Sequence, residues 1–412
     1  MNRCLEDLGF LRSGGSFVPV NSTKALQTIL REKISDGFSI FQGRRPSSVL
    51  QELLRNRPAL KPFFVDLSEN GDNNQQNPHN KVFEYRQEDQ VISVETGITL
   101  GSLEKILALN HQYFPHVAQK ESTLLDVINF GDRGYLEHSY SLRSMVLGLE
   151  VLLASGDTIR TGGKVVKNVT GYDLTKLFVG ARGTLGIPVK AHLRVFATPE
   201  IAFTYIVSGG TFNALSDLAS DLIKSGLPFT GVEIVLGSEV NEVRDFLVVN
   251  IAEHTQVVNE LVPQLENFAQ AYKVELRKLD EHQGSVFSEF LQTLETAFEL
   301  DDSALSVSCS RSQYRSLVQR LEAKLTMSVH YRPGVGRLRL KFKNPDDRAM
   351  AIEQLRDYCT STSVDLAVAY ADTDFEYRVE RLPENDPEVV KLKQGIKERF
   401  DFHRIMNPLA KL

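Results

Sequence analysis

Cysteine is scarce in this chain: Cys4, Cys309 and Cys359 are the only three in 412 residues. They make no CxxC pair, no disulfide framework and no iron–sulfur spacing, so a reducing, cytoplasmic setting is expected. Electrons leaving through an iron–sulfur centre would need another chain to carry it. Tryptophan is absent altogether, and nothing functional follows from that. Positive charge is not in excess, with 47 Lys and Arg against 53 Asp and Glu and a net charge of -6. That balance gives no electrostatic reason to bind nucleic acid or an anionic membrane. No apolar run reaches the roughly 18–20 residues that span a bilayer, so direct membrane insertion is not expected. The opening residues MNRCLEDLGFLRSGGSF lack the continuous apolar core of a secretory signal. The nine histidines form no His-x-His and no cluster, and His111, His116 and His138 have no partner spacing of metal ligands, so no metal is expected.

What is present is the composition of a globular protein, 42% hydrophobic and 24% charged, in a chain too long for one ordinary core. Apolar spacing predicts a helix over Ser22–Ile34 and a strand over Phe38–Phe41, then a helix over Ser47–Leu53 and a strand over Phe63–Leu67. Glu69–Asn80, rich in Asn with Gly and Pro, reads as a loop. Paired strands are predicted at Lys81–Tyr85 and Gln90–Glu95, followed by a helix capped by Thr99. Leu142–Leu153 and Thr158–Arg160 read as strands around the turn Ser155-Gly156-Asp157, and His192–Phe196 closes this region before a boundary at Thr198-Pro199. Two strand–helix–strand units are then expected, over Ala202–Leu236 and Phe246–Leu279. Leu305–Ser308, Gln313–Leu325, Val329–Phe342, Pro345–Cys359 and Leu366–Tyr370 continue or duplicate them. Pro387–Leu412 is a charged amphipathic helix followed by FDFHRIMNPLAKL.

The segment Thr161–Ile187 reads TGGKVVKNVTGYDLTKLFVGARGTLGI. Its glycines, interleaved with Asn168, Tyr172 and Asp173, point to a backbone that turns tightly or lies against a flat ligand. The segment resembles the flavin-binding stretch of FAD-linked oxidases of the vanillyl-alcohol-oxidase and p-cresol-methylhydroxylase type. Within that superfamily it is most similar to the smaller FAD-binding subunit of glycolate oxidase. The resemblance implies an α+β chain in three parts. Residues 1–199 would form a p-cresol-methylhydroxylase-type FAD-binding domain of two α/β subdomains. Residues 200–380 would form a ferredoxin-like α+β cap domain, and residues 381–412 a segment returning to the first domain.

It further implies that FAD is bound without a covalent link, because no His stands in the first phosphate loop. Gly162, Gly163, Lys164, Asn168, Gly171, Tyr172 and Asp173 match the motif position by position, as do Gly180, Gly183, Thr184, Leu185, Gly186 and Ile187. Core packing would equally account for Tyr172 and Leu174, and Lys164 or Lys167 for a solvent-facing charge. Asn407 is implied to return to the cofactor. Two earlier phosphate loops depart from the family pattern. Gln42-Gly43-Arg44-Arg45-Pro46 stands in place of an Arg-Gly-Gly-Gly-Thr turn. Ser122-Thr123-Leu124-Leu125-Asp126 stands in place of Thr-Leu-Gly-Gly, with Asp126 adding a negative charge. Gly43, Ser122 and Thr123 are the residual loop candidates. Arg44 and Arg45 either replace the lost glycines as phosphate ligands or form a surface basic pair.

Oxidising a 2-hydroxy acid needs a base for the hydroxyl proton, a cation for the carboxylate and a hydride acceptor. The candidates are His330 as base with Arg332 or Arg337 as clamp, in a stretch that also reads as an ordinary glycine turn. The expectation is thus an FAD-binding subunit of a glycolate-oxidase-like dehydrogenase complex acting on a small 2-hydroxy acid. Its partners would be a larger catalytic flavoprotein and an iron–sulfur subunit. A flavin-free structural subunit and a self-sufficient dehydrogenase remain the alternatives.

Overall fold

The β-branched stretches VISVE and IPVKAHLR are largely buried and pair with each other, which sets the first sheet. The computed structural model describes residues 80–115, 120–130, 141–164, 173–240, 243–280, 303–322, 325–334, 336–362, 366–371, 377–382 and 387–407, with residues 27, 31, 38–42, 61–65, 283–284 and 364. Contacts divide the chain into two units, the first made of residues 1–133, 140–198 and 386–412 and the second of residues 134–139 and 199–385.

In the first unit, β1 (Phe38–Gln42) and β2 (Lys61–Val65) pair in parallel. Then come β3 (Val82–Arg86), β4 (Val91–Glu95), α1 (Leu100–Ala108), β5 (Gln112–Tyr113), α2 (Leu124–Phe130), α3 (Leu142–Met145), β6 (Val146–Leu152), β7 (Thr158–Gly162), α4 (Thr175–Phe178), β8 (Ile187–Arg194) and β9 (Phe196–Ala197). An antiparallel sheet runs in the order β3-β4-β8-β6-β7. Its Ile92, Val94, Leu149, Val151, Ala191 and Leu193 share a core with Leu103, Leu107 and Ile128 of the helices. The strand expected over Leu142–Leu153 starts with the turn α3 instead. The Ser141 carbonyl accepts from the amides of Ser144 and Met145, in a turn that buries both Leu142 and Met145. The strand expected at His192–Phe196 begins earlier, at Ile187, because β8 pairs along its length with both β4 and β6.

The second unit contains β10 (Ile201–Ser208), α5 (Phe212–Lys224), β11 (Gly231–Val240), β12 (Val243–Glu253), α6 (Thr255–Tyr272), β13 (Glu275–Lys278), β14 (Ala304–Ser308), α7 (Tyr314–Glu322), β15 (Met327–Arg332), β16 (Arg337–Phe342), α8 (Pro345–Thr362), β17 (Leu366–Ala371) and β18 (Tyr377–Leu382). One nine-stranded sheet runs β13-β10-β12-β11-β15-β16-β14-β17-β18. The inner strands β11 and β15 pair antiparallel, matching Ile234 with Tyr331, Val235 with His330 and Leu236 with Val329. They join a half built from β10 to β13, packed with α5 and α6, to a half built from β14 to β18, packed with α7 and α8. One face of the sheet carries Val207, Val249, Ile251, Ile234, Leu305, Tyr331 and Leu340, packed with Leu218 of α5, Leu261 of α6, Leu317 of α7 and Leu355 of α8.

The helix α9 (Pro387–Phe400) belongs to the first unit, where Ile396 and Phe400 pack on its core and the Phe400 ring meets Phe178 edge-on at 5.3 Å. Among the described residues no helix is long and apolar enough to cross a membrane.

The amino end of α6 is capped from outside its own sequence. Glu200 accepts from the Thr255 amide (3.0 Å) and hydroxyl (2.9 Å) and lies 3.2 Å from His254 Nδ1. The Thr255 amide bond first, then the hydroxyl and His254, lower its carboxyl from 4.5 to about 2. A depressed carboxyl stabilises the fold above its unfolded value and loses that contribution as pH falls through the folded one. Protection of the Thr255–Val258 amides against hydrogen exchange should therefore hold above pH 4.5 and fade towards pH 2. Glu200→Gln should weaken it at neutral pH.

Candidate functional site

The cofactor residues implied by sequence fall into two sets. Gly43, Arg44, Arg45, Asn168, Gly171 and Tyr172 lie outside the described residues. The rest can be placed. Gly162 ends β7 opposite Gly148 with φ +63°, and a Cβ there would stand 2.1 Å from the Leu147 carbonyl. Gly163 donates its amide to the same carbonyl at 3.1 Å. A Cβ on Gly186 would meet Val151 and the Leu152 carbonyl. Gly162 and Gly186 are required by the sheet's own close packing, whatever lies beyond it. Lys164 pairs with Glu84 at 2.5 Å, and Asp173 with Lys176 at 3.2 Å. The buried Thr184 donates its hydroxyl to the Ala181 carbonyl at 2.6 Å, Leu185 is buried, and Ile187 opens β8 opposite Leu152.

The turn before α2 is closed on itself. Thr123 donates its amide (3.1 Å) and hydroxyl (2.7 Å) to Asp126 Oδ2, and the Asp126 amide returns to Thr123 Oγ1 at 3.1 Å. This is a reciprocal capping box. The Leu124 amide goes to the Ile98 carbonyl and the Leu125 amide to that of Thr96. All four amides are engaged within the chain. The Ser122 carbonyl accepts from the Leu100 amide.

A second network ties the C-terminal segment to the Gly183–Ile187 turn. Lys397 Nζ donates to the Thr184 carbonyl (2.6 Å), the Met406 carbonyl (2.9 Å) and Asp401 Oδ2 (2.6 Å). Asp401, fully buried, also accepts from the Ile405 and Met406 amides at 3.1 and 2.9 Å. Burial lowers the Lys397 ammonium below its usual range, and Asp401 acts in the opposite sense. Asn407 donates its side-chain amide to the Arg182 carbonyl at 2.6 Å, and Arg182, Gly183 and Asn407 all have positive φ.

In the second unit the sheet face opposite the one packed with α5 to α8 carries Thr204, Asn250, Glu233, His330, Arg332 and Arg339, all but Thr204 buried, by alternation with the core residues. His330 Nε2 lies 2.5 Å from Glu233 Oε2, and Arg332 Nε 3.5 Å from the same oxygen. Arg339 stands opposite His330 in the strand register. Burial lowers the His330 imidazole, Glu233 opposes that shift, and Arg332 and Arg339 reinforce it. His330 and Arg332 were expected in a turn; they are strand residues of β15, and the turn follows them. The reason is double pairing, since β15 is hydrogen-bonded to β11 on one side and β16 on the other. Arg337 begins β16 and is half-buried. Among the described residues no group of three or more His, Cys, Asp or Glu could hold a metal ion. Sequence reasoning missed Glu233, Arg339, Lys397 and Asp401. The signal for the first two was present, a charged residue alternating with apolar ones in GVEIVLG and RLRLKF.

Residues 74–162 match the FAD binding domain family. Glycolate oxidase subunit GlcD of Bacillus subtilis (strain 168) is 39% identical over 147 residues, 35% of this chain and 31% of that protein. The probable mitochondrial D-lactate dehydrogenase of Danio rerio is 32% identical over 170 residues, 40% of this chain and 34% of that protein. Glycolate oxidase subunit GlcE of Escherichia coli (strain K12) is 30% identical over 159 residues, 37% of this chain and 45% of that protein. These matches span between 31% and 45% of the relatives' lengths. Among solved structures, 4-ethylphenol oxidase from Gulosibacter chungangensis aligns with TM-score 0.65 at 13% identity, covering 95% of this chain and 88% of that one. An alkyldihydroxyacetonephosphate synthase aligns with TM-score 0.68 at 13% identity, covering 95% and 76%. The fold is that of the p-cresol-methylhydroxylase-type flavoproteins. Residues 74–162 are matched as an FAD-binding domain, and over that part of its length the chain is similar to FAD-linked oxidases and dehydrogenases, which points to FAD as the cofactor.

The turn at Thr123–Asp126 does not fit the pyrophosphate of that cofactor. Phosphate recognition by a turn needs amides free to donate, and here Asp126 and the neighbouring carbonyls have taken them. Thr123, expected at a phosphate, has its amide and hydroxyl engaged by Asp126.

Two stability measurements check these networks. Asp401→Ala leaves a buried ammonium and two amides without their acceptor, and should cost about 3–5 kcal/mol in urea unfolding of the first unit. Asp126→Ala removes the capping box and should cost about 1 kcal/mol by the same method.

Proposed function

We propose that this chain is the FAD-binding subunit of a glycolate-oxidase-like dehydrogenase complex acting on a small 2-hydroxy acid in the cytoplasm. Its partners in this reading are a larger catalytic flavoprotein and an iron–sulfur subunit. The observation that carries the reading is the convergence of an imidazole and two guanidiniums on one buried sheet face, in a chain that also holds an FAD-binding domain. Arg332 and Arg339 take the substrate carboxylate through paired charged hydrogen bonds, and His330 takes the hydroxyl proton. Gly162, Gly163, Lys164, Asp173, the Gly183–Ile187 turn and Asn407 line the cofactor in this reading. The resemblance assigns Gly43, Arg44, Arg45, Asn168, Gly171 and Tyr172 to the same cofactor, and they lie outside the described residues. Each half of the nine-stranded sheet is read as ferredoxin-like from its strand order, and the unit as the cap domain.

A second reading is favoured by one observation. The self-capped turn at Thr123–Asp126 suits a subunit of the same complex that keeps the fold as a scaffold and has lost its flavin.

The visible spectrum of the purified chain separates the two. A near-stoichiometric flavin band, released on denaturation, is expected for the first; a chain that stays colourless after incubation with FAD gives the second. For the binding face, Arg339→Gln should weaken binding of oxalate, an unreactive carboxylate, about thirtyfold by calorimetry. Unchanged affinity would remove the guanidinium from the site.

A further inference from the structure

Glu233 and His330 meet across the seam where the two halves of the large sheet join, one on β11 and the other on β15. Both are almost fully buried, at 1% and 2% exposure. An ionised carboxylate only accepts hydrogen bonds, so the 2.5 Å contact puts the imidazole proton on Nε2, where it donates to Glu233 Oε2. The lone pair of a neutral ring is then on Nδ1. That atom is buried and has no hydrogen-bond partner among the described residues. A histidine that served only to clip the two halves together would have no reason to keep its buried second nitrogen open, since buried polar atoms are normally paired. Arg332 Nε, 3.5 Å from the same Oε2, adds a charge that holds the carboxylate in place.

We propose that Glu233 is a positioning residue that locks His330 in its Nε2–H tautomer, so that Nδ1 stands as the hydrogen-bond acceptor for a hydroxyl group of the bound molecule. The proposal rests on reading this sheet face as the binding site. Burial of the ring keeps it neutral, and a neutral ring with one defined tautomer is what an acceptor needs. Neither residue is placed by its own loop. The tautomer is fixed by the pairing of two strands nearly a hundred residues apart in sequence, so the acceptor is as rigid as the sheet.

Nitrogen-15 NMR of the full chain with labelled histidine tests this without reference to turnover or flavin content, with His330→Gln identifying the signal. At pH 7 the wild type should show a protonated Nε2 and an unprotonated Nδ1. Glu233→Gln should give a mixture of tautomers and a lower titration midpoint, because the carboxylate that favours the proton is gone. Glycolate added as a probe should shift Nδ1 and leave Nε2 protonated. A proton on Nδ1 in the wild type overturns the proposal alone, even if Glu233→Gln fails to fold. An Nδ1 signal that glycolate does not move overturns both the proposal and the reading of this face as a binding site.

Discussion

The antiparallel pairing of β11 with β15 is the interaction on which the second unit depends. Each half of that unit has an inner-edge strand whose main-chain donors and acceptors would otherwise face water or another chain. Joining the two edges makes one sheet of nine strands and one continuous core. It also fixes the face on which polar side chains appear, because the side-chain period of a strand is two and a slip of one residue would send His330 and Glu233 into the apolar core. Register at this seam therefore carries both stability and chemistry. The stacked rings of Tyr314 and Tyr331, 3.8 Å between centroids, lie on the apolar side of the same seam and give the register a packing reason.

In the first unit the glycines serve two masters. Gly162 and Gly186 stand where strands and turns approach too closely for a Cβ, so their presence follows from the sheet alone. A glycine-rich segment is consequently weaker evidence for a ligand than its composition suggests. The residues that fix the turns of this unit are charged. Asp126 closes a turn, Lys397 and Asp401 join two segments, and each does so through several matched hydrogen bonds. Such matched buried networks hold a shape, while half-matched ones, as at His330 Nδ1, mark where something else belongs.

Most strands and helices were legible in the sequence because their periodicities are strong. Val91–Glu95 is a short β-branched apolar run, and Phe212–Lys224 and Tyr314–Glu322 repeat at helical spacing. The resemblance in Thr161–Ile187 led to the right cofactor class by a motif, not by geometry. What stayed hidden depended on distance along the chain. Nothing local tells that Glu233 will meet His330, or that Lys397 will reach the Thr184 carbonyl. The misplacement of His330 in a turn has the same origin, since Pro333 and Gly334 outweighed the alternating SVHYR beside them. The helical start at Leu142 was lost because one turn of helix leaves too short a period to read.

The bond from Lys397 to Thr184 spans 213 positions, and nearly the whole second unit lies between them. The first unit is thus sewn shut by a segment synthesised after that insert. On the ribosome, residues 199–385 can complete their sheet while the Gly183–Ile187 turn still waits for its lysine, and loop-closure entropy across so long an insert is recovered only at the end. Nascent chains cut short before Lys397 would hold a finished second unit and an open first one. The order of assembly, inner insert first and outer frame last, is written into the topology.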